Sequence, residues 1–101
     1  MPSRDVLEAR WLELVRVVLP GLAAERSWPV RFDHCFARIL LDHLCGGCWY
    51  DHLPARPAYR HLSAAQLEAA VALAESVADG SADLVALNDR SLAWRAARRA
   101  R

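Results

Sequence analysis

Apolar residues recur along this chain at helical spacing, and no stretch of useful length alternates as a strand would. Leu7, Trp11, Leu14 and Val18 fall on one stripe with Val15 and Leu22 beside it, so a first helix is predicted to start behind Ser3 as N-cap. Pro20 and Gly21 are expected to stop or kink it near Val18, although a short turn from Leu22 to Arg26 can continue it. A second helix is predicted from about Val30 or Phe32 to Cys45, where Gly46 and Gly47 tolerate the positive φ that ends helices. Its Phe32, Phe36, Ile39, Leu40 and His43 share a face, and Leu41 and Leu44 are apolar on another. Little of that helix is left for water, which makes it the central one.

Periodicity vanishes from Gly46 to Leu62, where Pro54 and Pro57 break any regular element. A connection that long inside a small chain is more often functional than a plain linker. Periodicity resumes at Ser63, which with Gln66 forms a capping box inside a Leu62 and Leu67 hydrophobic staple. Leu67, Ala70, Val71, Ala74 and Val77 follow on one face until Gly80. Ser81 or Asp83 caps a last helix whose Leu84, Leu87, Ser91 and Trp94 share a face, with Asn88 and Asp89 as a potential break. The fold class is therefore all-α: a compact bundle of four to five helices with one long irregular loop, forming a single helical domain over residues 1–101.

Composition supports one core and excludes disorder as the dominant state, since the 101 residues are 54% apolar and carry a net charge of only +1. All 13 cations are arginine, with no lysine and no threonine, a usage that fits a GC-rich bacterial genome. The polar start and the charges within the first apolar stretch leave no signal-peptide core, and no window is apolar enough to span a bilayer. A cytoplasmic protein without membrane association is expected, with the three cysteines as free thiols or metal ligands.

Four zinc-competent side chains, His43, Cys45, Cys48 and His52, lie within ten positions. The competing reading makes His43 a hydrogen-bonded core histidine and the two cysteines inert thiols, because a helix C-terminus disfavours a thiolate. No cofactor is expected, with zinc the alternative this quartet keeps open.

The polar stripe of the second helix has two readings. Arg38 and Asp42, one turn apart, need partners if buried, and Asn88 or Arg95 of the last helix would supply them. Alternatively Asp33, His34, Arg38 and Asp42 face the long loop and line a pocket with Trp49, Tyr50, His52 and Tyr59, where His34 or His52 would do acid–base work. No nucleophile elbow, phosphate-cradling glycine loop or metalloprotease motif is found. The arginines at 90, 95, 98, 99 and 101 form a basic end, with Trp94 beside Arg95, and give a third reading as a nucleic-acid contact.

The stretches Phe32-Asp-His-Cys-Phe-Ala-Arg-Ile39, Pro57-Ala-Tyr-Arg-His-Leu62 and Leu87-Asn-Asp-Arg-Ser-Leu-Ala-Trp-Arg95 resemble short bacterial all-helical proteins of unknown role, some of which carry an N-acetyltransferase label. The resemblance implies that the helix-two stripe, the loop and residues Asn88 to Arg95 belong together. The leading expectation is a small cytosolic module that binds a protein partner or small molecule through the 46–62 loop and helix two. Trp49, Tyr50, Arg56, Tyr59 and Arg60 are the preferred contacts, since aromatic residues and arginine concentrate binding energy. The alternatives are a small enzyme or accessory subunit using His34, Arg38, Asp42 and His52, and nucleic-acid binding through the arginine-rich end. A homodimer is compatible with each.

Overall fold

A computed structural model describes residues 2–101 and contains four helical rods and, among the described residues, no strand. The first rod comprises α1 (Arg4–Glu13), a π turn (Leu14–Val18) and α2 (Leu19–Ala23) without interruption. It is followed by α3 (Asp33–Cys45), α4 (Ala64–Asp79) and α5 (Leu84–Arg99). One hydrophobic core joins the rods, with Trp11, Leu14, Phe36, Leu40, Leu67 and Val77 all essentially sealed from solvent. α3 sits in the middle, against α4 on one side and α5 on the other, while α1 packs on α4.

The first rod departs from the sequence expectation at Pro20. Within an α-helix the proline ring would press on the carbonyl four residues back and supply no N–H to it. Here the π turn lies immediately upstream, with the Leu19 N–H donating to the Leu14 carbonyl, and the wider turn carries the chain past proline to Ala23. The extra residue also moves the buried stripe. Leu19 and Ala23 are buried where unbroken spacing selected Val18 and Leu22, both of which keep partial exposure.

The other boundaries follow local chemistry. Ser3 accepts from the Val6 N–H, and Ser63 and Gln66 close the reciprocal capping box. Asp83, not Ser81, caps α5 through bonds from the Val85 and Ala86 N–H groups. Gly46 and Gly80 end α3 and α4 at φ of 71° and 87°, values open to glycine at no steric cost. Asn88 and Asp89 do not split α5, because the Asn88 side chain is buried against α3 and is not competing for local backbone. The 46–62 loop carries two short 3₁₀ turns, Trp49–Asp51 and Ala58–His61. Arg4 ties the second of these to α1, donating to the carbonyls of Tyr59, Arg60 and Leu62.

The capping box sets one expected outcome. Ser63→Ala orphans the Gln66 N–H at the start of α4 and should lower stability by about 1 kcal/mol in chemical denaturation. An unchanged midpoint would show that the staple alone fixes this helix start.

Candidate functional site

The site is built from one buried carboxylate outward. Asp42 has 0% of its surface exposed, and both oxygens are saturated. Oδ2 accepts from Arg95 Nε at 2.8 Å and from the Ser91 hydroxyl at 2.7 Å. Oδ1 accepts from Arg95 Nη2 at 3.1 Å and from the Trp49 backbone N–H at 3.0 Å. The carboxylate thus holds α3, α5 and the start of the loop at one point. Asp42 in turn keeps Arg95 protonated well above the ordinary guanidinium range, against the opposing effect of burial.

Arg38, one turn earlier on α3, has a different environment. It donates through Nη1 to the Ser91 hydroxyl at 2.8 Å and through Nη2 to Asn88 Oδ1 at 2.7 Å, and both acceptors are neutral. Among the described residues it forms no ion pair. Burial, and next the positive charge of Arg95, pull its pKa below the ordinary value, so the guanidinium is less well solvated than in water and faces a like charge.

The loop adds aromatic rings clasped by arginines. The Arg56 guanidinium lies 5.1 Å from the ring centroids of both Trp49 and Tyr50, and Arg95 lies 4.7 Å from that of Tyr50. Arg95 and then Arg56 hold the Tyr50 phenol below its ordinary pKa. Arg98 and Arg101 both pair with Asp51, at 3.0 Å and 2.9 Å, which closes the loop onto the end of α5. With Arg95 on Asp42, three of the five terminal arginines are therefore engaged within the fold.

These elements enclose a cleft of about 570 Å³. Asp33, His34 and Arg38 of α3 line it, together with Trp49, Tyr50, Arg56 and Tyr59 of the loop and Arg95 of α5. The opposite wall is Trp11 and Leu12 of α1 with Val15 and Arg16 of the π turn, none of which the sequence singled out for a site. No local signal marks that wall, because it reaches the loop only through the packing of the bundle. Ser91 joins the site as well, and its hydroxyl within the stripe of Leu84, Leu87 and Trp94 is the signal that marks it.

Other candidate residues lie elsewhere. Asn88 and Asp42 sit beneath the cleft and hold its floor without lining it. Arg60 lies over the Tyr59 ring and outside the lining. His52 and Trp94 belong to a second, smaller depression of about 230 Å³ with Cys48 and Asp51. The set His34, Arg38, Asp42 and His52 is thus not gathered around one cavity. His34 is 78% exposed at the cleft rim, 3.6 Å from Asp33, and its ring stacks on Phe32. His43 is half-buried, with Nε2 2.9 Å from the Leu87 carbonyl and its ring against Trp94. Burial, with Asp42 and Cys48 adding to it, pushes the Cys45 thiol up, away from thiolate. Among the described residues, no three His, Cys, Asp or Glu side chains gather as a single metal ion would require. No described helix is long and apolar enough to cross a membrane.

No protein-family model, curated protein or solved structure matches the chain.

Two outcomes follow from the Asp42 hub. Asp42→Asn leaves Arg95 with a charge facing no carboxylate, and breaking a buried pair in this way should remove about 3–5 kcal/mol of stability in urea unfolding. Phenolate absorbance should begin to rise at lower pH in the native protein than in a Tyr50→Phe variant, since the neighbouring guanidiniums favour the ionised ring. Superimposable titrations would mean that Tyr50 does not feel them.

Proposed function

We propose that the chain is a small helical binding module whose cleft takes a small organic anion, with the 46–62 loop and α3 supplying the recognition. The observation that carries this reading is Arg38. A guanidinium has five N–H donors, and here two meet neutral acceptors while the fork lines a cleft with no carboxylate partner among the described residues. A partly buried, uncompensated cation is costly to a fold and is explained when a ligand supplies the missing charge. Trp11, Leu12, Val15 and Leu41 give the same cleft an apolar wall, so the anion should carry an apolar body. Ser91 and Asn88 hold the fork in place and do not themselves line the cleft.

This division of labour separates function from stability. Arg38→Met removes an unpaired charge and leaves Asp42 with all its donors, but it also orphans the buried Asn88 Oδ1, so stability should fall by no more than about 1–3 kcal/mol, less than in Asp42→Asn. Aromatic carboxylates, sulfonates and phosphates should shift the Arg38 Nε–H and the Trp49 indole resonances of the parent chain, and the shift at the indole should disappear in Arg38→Met. Shifts that persist in Arg38→Met, or that scatter over the whole surface, would overturn the proposal.

A further inference from the structure

The charges around the cleft define the anion more narrowly, an argument that rests on the anion-binding reading just given. Three arginines from three elements line the cleft without an ion pair among the described residues: Arg16 of the π turn, Arg38 of α3 and Arg56 of the loop. Arg95 lines it too, but its charge is matched by Asp42. Asp33 is the single acidic residue among those lining the cleft. Three cations against one carboxylate leave a surplus of two positive charges, which a dianion neutralises and a monoanion does not.

The rings argue against a flat ligand held by stacking. Arg56 lies over both Trp49 and Tyr50, and Arg95 and Arg98 also approach Tyr50. The aromatic faces thus hold guanidiniums, which restricts where those forks lie. Three planar forks from three elements suit a group with several equivalent oxygens aimed in different directions, and a phosphoryl group has three where a carboxylate has two in one plane.

We infer that the cleft recognises a dianionic phosphate monoester with a small apolar body, bound by Arg16, Arg38 and Arg56. The apolar wall receives the esterified group, and the phosphoryl oxygens meet the three guanidiniums. Charge and geometry both contribute, so neither a phosphodiester with one charge nor a planar dicarboxylate fits as well.

Calorimetric titration of the whole chain with phenyl phosphate, methyl phenyl phosphate and phthalate tests this. Phenyl phosphate should bind at least about tenfold more tightly than either of the others, a margin easily resolved in dissociation constants. Arg16→Gln, a change at an exposed position of the π turn, should erase most of that margin and leave thermal unfolding unchanged. Equal affinity for methyl phenyl phosphate overturns the charge argument, and equal affinity for phthalate overturns the phosphoryl argument. In either case binding that still vanishes in Arg38→Met leaves the anion cleft standing. If none of the three probes binds while other organic anions shift the Arg38 Nε–H, the phosphate assignment alone falls. If no anion of any kind binds, both readings fall together.

Discussion

The structure turns on a carboxylate placed where charges are expensive. Asp42 lies on the central helix with no exposed surface, and an ion moved there from water would cost several kcal/mol if left alone. It is not left alone: a bidentate arginine, a hydroxyl and a backbone amide close around it. Each partner comes with a constraint. Arg95 and Ser91 fix how α5 is rotated against α3, and the Trp49 amide fixes where the chain resumes after the helix ends at Gly46. The loop lines the cleft from a start that is bonded to the core.

Arginine serves this fold in three distinct ways, and the all-arginine composition conceals the difference. Arg4 and Arg26 act as caps, delivering N–H groups to backbone carbonyls left open by turns and helix ends. Arg95, Arg98 and Arg101 are fasteners, each closing on a carboxylate. Arg16, Arg38 and Arg56 have neither duty in full. A lysine at position 4 would have no fork to reach three carbonyls, and one at position 95 would give Asp42 no bidentate partner.

What could be read from residues alone divides along physical lines. Helix starts and stops were legible, because a capping serine, a capping box and two glycines at positive φ act within a few residues of themselves. The Arg38 and Asp42 pair was legible as needing partners, since charges at one-turn spacing in an apolar helix must be met by something. Residues that meet across the bundle were not. Arg16 and Trp11 become a cleft wall only when the first rod leans towards the loop, and His52 is carried to a different face by the 3₁₀ turn beside it. The end of the first rod was misread for another reason: spacing rules assume a constant number of residues per turn, and the π turn changes that number.

That change has a consequence for the ways this chain can vary. The first rod keeps two angular settings, one for Leu7 and Trp11 and another for Leu19 and Ala23, and the residues between them absorb the difference. Deleting one residue within 14–18 would restore a uniform α-helix in which Leu19 and Ala23 take the places of Val18 and Leu22 on the stripe begun by Leu7 and Trp11. Leu19 would stay in the core, but Pro20 would meet the carbonyl that the wider turn now spares it. The extra residue therefore serves the proline and not the packing: many side chains fit at Val17, which is largely exposed, and a chain one residue shorter would close the same bundle once Pro20 gave way to a helix former.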